Sequence, residues 1–268
     1  MSSIETKKEN KNDIEESDYK PPEVNALGFD DIKLCLCKGF SDFRQAPTFG
    51  LFFGGIFAFA GILIVQSFYV WERGWLIYPM LVGFPLIGPF AAVGLYDVSR
   101  RLNDGLPLRW NEIMSVVGMQ TSRQLPYMAF VMLFIFWVWM YQIRLLIAII
   151  LGRMSIPSWD AFFNIITTTP EGLAFIIIGH IVGACFALLL FSVTVVSIPI
   201  ILDRDIDFVT AMITSVKTVK KSPLVMISWG MFIAITILIS FIPLFLGLLI
   251  ALPVLGHASW HVYKKAVV

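Results

Sequence analysis

Reactive side chains are scarce in this chain. It holds three histidines and three cysteines among 268 residues, and only 15% of its positions are charged. Cys35, Cys37 and Cys185 include one Cys-x-Cys pair, whereas a structural zinc site needs four ligands, usually in two separated pairs. An odd count divided between a polar segment and an apolar run gives no disulfide framework either. There is no Gly-rich phosphate loop, no Ser/His/Asp arrangement and no acidic pair within an apolar run. His257 and His261 share a helix face at i,i+4, but they lack the carboxylate of a His-Glu-x-x-His pattern, so zinc hydrolase chemistry is unsupported. His180 lies in a different run at a different depth, which leaves no single centre for a metal or haem. No cofactor is expected.

What is abundant is apolar sequence. An apolar fraction of 57% and a mean hydropathy of +0.79 would leave large exposed patches on a water-soluble domain. The apolar runs are each about 20 residues long, the length a helix needs to cross ~30 Å of hydrocarbon. The fold expected is therefore all-α and polytopic. Six spans are expected at about 50–70, 75–96, 125–151, 173–202, 224–242 and 243–262, within a transmembrane domain over 49–263. The last two divide one stretch, Leu224 to Trp260, that Pro243 and Pro253 interrupt; a single helix of that length would exceed ~50 Å. Of the 20 Lys and Arg residues, 17 fall in the N-terminal segment, the second and fourth connections and the C-terminal residues 264–268. The positive-inside rule then places both termini in the cytoplasm, with the inner membrane of a bacterium as the expected location.

Residues 1–25 are polar, rich in both charges and free of any apolar run. They lack the core of a secretory signal and are expected to be a disordered tail. Residues 26–48 suit a cytoplasmic interfacial helix, with Asp30 or Asp31 as its cap and Pro47 as its end, although the alternation over 32–37 would also suit a strand. Asn111–Gln124 and the segment from Phe208 to Val219 repeat with helical period and read as further amphipathic helices on the inner surface. Residues 152–172 form the largest outer loop. Pro85, Gly88 and Pro89 are expected to kink or unwind the second span. Gly179, Gly183 and Ala187, four residues apart, form a ridge on which another helix can approach closely. Arg144 sits about seven residues from the outer end of its span, within snorkelling reach of the interface.

The inward ends of spans two, four and six each carry a polar cluster: Asp97 with Arg100 and Arg101, Asp203 with Arg204, and His257 with His261 and Tyr263. If they converge, they form a charged cytoplasmic rim, with Arg100, Arg101 and Arg204 as donors to a headgroup, peptide or small anion. The competing reading is structural, since Asp97 and Arg101 stand at i,i+4 and such pairs anchor helix ends. The strings PLIG (85–88) and PVLG (253–256), followed by Tyr96 and Tyr263, echo one another, as an internal repeat would.

Three longer strings carry a resemblance. GPFAAVGLYDVSRR (88–101), SIPIILDR (197–204) and PVLGHASWHVY (253–263), together with Ala211 and Ser215, resemble the signatures of an uncharacterised family of bacterial integral membrane proteins. The resemblance covers most of residues 40–265. Two positions depart from it: Lys221-Ser222-Pro223 stands where the family favours Asn-Pro, and Asp97 where it favours Glu. Some members are labelled as similar to subunit I of cytochrome c oxidase, but three histidines are too few for a haem-copper core. The family brings no established activity with it.

The expected function is that of a non-enzymatic accessory or scaffold protein, embedded in the lipid bilayer and assisting a larger membrane complex, with no nucleic-acid partner. A small-solute transporter is the main competing reading, supported by the Pro/Gly-interrupted second span and the possible repeat. A respiratory or haem-associated subunit is the third.

Overall fold

The computed structural model describes residues 22–69, 77–120, 123–152 and 158–268, and these are helical nearly throughout. Helix α1 (Phe29–Gln45) is followed by α2 (Pro47–Tyr69), α3 (Ile77–Asn103), α4 (Trp110–Gln120) and α5 (Leu125–Leu146), which continues as a π-helical turn over Ile147–Leu151. Then come α6 (Trp159–Thr168), α7 (Pro170–Thr194), α8 (Ser197–Asp203), α9 (Phe208–Lys221), α10 (Pro223–Phe241) and α11 (Leu248–Ala266). Among the described residues, four segments are long and apolar enough to cross a membrane: Pro47–Ser67, Leu125–Leu151, Pro170–Asp203 and Pro223–Phe241.

Helix α11 is the hub. Helices α1, α2, α3, α8 and α10 all pack against it, and Leu255, His257, Ala258, Trp260, Val262 and Tyr263 are buried along it. A helix enclosed by protein can hold histidines and serines that a lipid-facing helix would not tolerate, which explains its more polar composition. Two glycines permit the close approach. A Cβ on Gly39 of α1 would stand 2.5 Å from the Ala258 backbone nitrogen, and one on Gly54 of α2 would stand 2.9 Å from the Leu248 carbonyl oxygen.

Burial is concentrated at the end of the bundle that carries the basic segments, where Val93, Val98, Met128, Ile200, Met226 and Trp229 are enclosed. The far halves of α5, α7 and α10 instead expose Phe134, Trp137, Ile177, Ile181, Leu238 and Ile239. Large apolar side chains turned outward on long apolar helices are what a hydrocarbon solvent requires.

Several sequence expectations change. The N-cap of α1 is Gly28, not Asp30 or Asp31; Asp31 sits one turn in and its carboxylate accepts the Gly28 N–H at 2.9 Å. That bond holds the Asp31 carboxyl below the usual carboxylate range. The alternation over 32–37 is helical, and Pro47 opens α2, where a missing N–H costs nothing. Helix α3 runs unbroken through Pro85, Gly88 and Pro89, so of the two expectations for this stretch, a kink or an unwound turn, the unwound turn does not occur. Within the connection over 152–172, α6 is capped by Ser158, and Thr169 caps α7. The fourth run is two helices, α7 and α8. The break at 195–196 lies four residues before Pro199, whose ring would meet the Val195 carbonyl in a continuous helix; the Val196 N–H donates to Ser215 Oγ at 3.1 Å. The division of the last stretch does occur, through a turn with Leu244 and Phe245 at positive φ.

The proposed tail over 1–25 lies outside the described residues as far as 21. Residues beyond that are bound: Val24 pairs antiparallel with Val267, Asn25 N–H donates to the Ala266 carbonyl at 2.7 Å, and Lys221 reaches the Val24 carbonyl at 2.7 Å.

Helix α9 begins on Asp207, whose carboxylate accepts the Val209 and Thr210 N–H groups at 2.9 Å each. The Thr210 hydroxyl, followed by these amides, holds that carboxyl below its usual range. Asp207→Ala is expected to lower stability by about 1 kcal/mol, a typical N-cap loss, seen as a reduced Tm in detergent. Because the folded carboxyl titrates low, the difference between parent and variant is present at neutral pH and disappears as acid protonates Asp207.

Candidate functional site: the polar rim around α11

The three helix ends that carry the polar clusters do meet, and α11 joins them. Its Tyr263 hydroxyl donates to Asp203 Oδ2 of α8 at 2.6 Å, and Lys264 reaches the same oxygen at 3.1 Å. Trp260 stacks on Tyr96 of α3 with ring centroids 6.3 Å apart. His257 Nδ1 lies 2.8 Å from Ser99 Oγ of α3, and His261 Nε2 lies 2.8 Å from Asp42 Oδ2 of α1.

At the end of α3 the anchoring geometry prevails. Asp97 is fully buried. Its carboxylate accepts from Arg100 and, at 2.8 Å, from Arg101 Nε. Arg101 also pairs with Glu112 of α4 and donates to the Pro107 carbonyl at 3.2 Å. Arg204 donates to the Val268 carbonyl at 3.1 Å. All three guanidinium groups expected to serve an external anion thus bind acceptors of this chain.

Two members of the site were not singled out from sequence. Asp42, 7% exposed, accepts both from His261 and from Ser99 Oγ at 2.8 Å. Ser99 is fully buried between Asp42 and His257. A serine, a histidine and an aspartate are therefore in contact, contrary to the sequence reading, though with the serine in the middle of the chain rather than at its end. Asp42 stands 219 positions from His261, and no local spacing could have linked them. The only signal was a carboxylate on the otherwise apolar face of an amphipathic helix. Among the described residues, His257 Nε2 is buried without a partner at hydrogen-bond distance, with the Leu95 carbonyl near the ring.

Other singled-out residues lie elsewhere. His180 is exposed on α7 and bonds the Ile176 carbonyl at 2.7 Å. Arg144 is exposed on the far half of α5. On the small-residue ridge, a Cβ at Gly179 would meet nothing within 4 Å, one at Gly183 would come 3.8 Å from Trp139 Nε1, and Ala187 is exposed. Among the described residues, the ridge meets another helix only at Gly183. Gly88 lines a cavity of about 190 Å³ between α2, α3, α10 and α11, with Phe53, Phe57, Ile233 and Ile237 among its walls.

Residues 77–203 match the model of a family described as predicted integral membrane protein (DUF2189). The match begins at the first residue of α3 and ends at the last residue of α8. It includes Asp97, Ser99, Arg100, Arg101 and Asp203 and leaves Asp42 and α11 outside. No curated protein and no solved structure matches the chain. Over the matched stretch the chain fits an uncharacterised family of integral membrane proteins, and its apolar helices are those of a protein embedded in a bilayer.

Proposed function

We propose that this integral membrane protein is a non-enzymatic scaffold, an accessory to a larger complex in a bacterial inner membrane. It would cross the bilayer six times, α3 and α11 adding to the four strongly apolar segments, with both termini in the cytoplasm. The observation that carries the reading is the cross-bracing of the rim: α11 is tied by side chains to α1, α3 and α8 at once. Charges bound in this way fix a shape. Meanwhile α1, α4 and α9 turn large apolar residues outward, including Phe29, Phe40, Trp110, Met119, Val209 and Ile213, beside exposed Lys33, Lys217 and Lys220. Such mixed faces suit the membrane interface or a partner helix.

Purification in mild detergent after cross-linking in cells is expected to return one partner at fixed stoichiometry. Val209→Glu with Ile213→Glu on α9 is expected to lower its recovery at least about tenfold, the effect of losing ~1.4 kcal/mol of contact. Repeated recovery of the chain alone would overturn the proposal.

The transporter reading draws on the cavity between α2, α3, α10 and α11. Among its described lining residues the one hydroxyl, Ser259, is bonded to the Leu255 carbonyl at 2.8 Å. An apolar lining suits a hydrocarbon passenger better than a polar solute, and the unbroken backbone of α3 removes the interrupted-helix argument.

A further inference from the structure

We propose that His257, Ser99, Asp42 and His261 form a buried proton-binding site whose occupancy sets the tautomer of His257. Three contacts link the four side chains, each 2.8 Å long. Each needs one proton between its two atoms, and Ser99 has only one to give. With Asp42 ionised, Ser99 donates to it, so His257 must donate to Ser99 from Nδ1. In the neutral ring this leaves Nε2 as a bare base. That nitrogen is buried and makes no hydrogen bond within 3.5 Å among the described residues, and the Leu95 carbonyl faces the ring as the acceptor nearest at hand for a proton added there.

Adding one proton at Nε2 reverses the chain. The Nδ1 proton passes to Ser99 Oγ, the Ser99 proton passes to Asp42 Oδ2, and the carboxylate becomes a neutral acid. His257 is then the Nε2–H tautomer, Ser99 donates to Nδ1, and Asp42 donates to Ser99 while still accepting from His261. Every contact is kept in both states, so nothing need unpack for the proton to bind. Burial favours the second state, because it removes a charge from the interior.

The surrounding charges leave the chain to itself. From α3, Asp97 faces Arg100 and Arg101. From α1, Asp31 is paired with Lys265 at 3.3 Å, and Lys38 and Arg44 are exposed. From α11, Lys264 is held by Asp203. Helices α2 and α10 carry no charged residue.

The test is ¹⁵N-histidine NMR of the whole protein in nanodiscs, where protonated and bare ring nitrogens are widely separated in shift. His180→Gln removes one of the three rings, and His257→Gln identifies the signals of another. In the parent above neutral pH, His257 is expected to be protonated at Nδ1 and bare at Nε2. On acidification the two exchange roles without both being protonated. Asp42→Asn, whose amide donates to Ser99 as the neutral acid would, is expected to fix His257 as Nε2–H at every pH. An Nε2–H ring in the parent at high pH, an imidazolium at any pH, or no change down to the pH of unfolding would each overturn the site. If Asp42→Asn does not fold, the parent series alone decides.

Discussion

Gly39→Leu is expected to lift α1 from its seat on α11. A side chain at that position would begin within 3 Å of the backbone nitrogen and Cα of Ala258, and neither atom can swing aside as a side-chain tip could. Overpacking of this kind costs ~2–3 kcal/mol, enough to raise the undocked population of α1 roughly a hundredfold. The chain contains its own reporter. Cys35 is buried on the face of α1 that meets the protein, whereas Cys37 and Cys185 are exposed, and burial pushes the Cys35 thiol up to about 11. In a Cys37→Ser, Cys185→Ser background, aqueous maleimide should modify Cys35 only slowly in the parent and about a hundred times faster in the leucine variant. Equal rates would show that α1 is not held by this contact.

Asp97→Ala is expected to have the second large effect. The carboxylate is fully buried and is the shared acceptor of Arg100 and Arg101, the latter itself only 11% exposed. Removing one partner from a buried ionic cluster leaves charge that protein no longer neutralises, a loss of about 3–5 kcal/mol. Glu112 still contacts Arg101, so about 3 kcal/mol is the expected figure. Thermal unfolding in detergent, followed by tryptophan fluorescence, measures it. A variant with the parent's Tm would mean that the pair contributes nothing to stability. Since α4 is tied to α3 through Glu112 and Arg101, α4 should also become protease-sensitive before the remaining helices do.

The two predictions concern features that differ in how openly the sequence displays them. The Asp97–Arg101 pair was legible, because i,i+4 spacing within one helix is a local property. So were the long apolar helices, the helical periodicity over 111–120 and 208–219, and the division near Pro243. The seat of α1 was not. Read alone, residues 26–48 are an amphipathic segment suited to a lipid surface, and nothing in them says that Gly39 faces Ala258 or that Asp42 meets His261. Periodicity tells which residues share a face, not what covers it. The same gap hid the Asp42–Ser99–His257 chain, whose members come from three helices, and it leaves the Gly179–Gly183–Ala187 ridge a spacing that permits close packing without naming a neighbour. The break before Pro199 could have been anticipated, since a proline forbids the carbonyl four residues earlier its usual position.

The central position of α11 has a consequence for biosynthesis. Helix α1 leaves the ribosome first among the described helices, but the groove that receives it is completed only by the last. Through the translation of some two hundred intervening residues, Asp42 and the apolar face of α1 must wait without their partners, in contact with water, lipid or a chaperone. Final assembly of the rim therefore waits until α11 has been made, and any truncation within α11 leaves α1 without a berth.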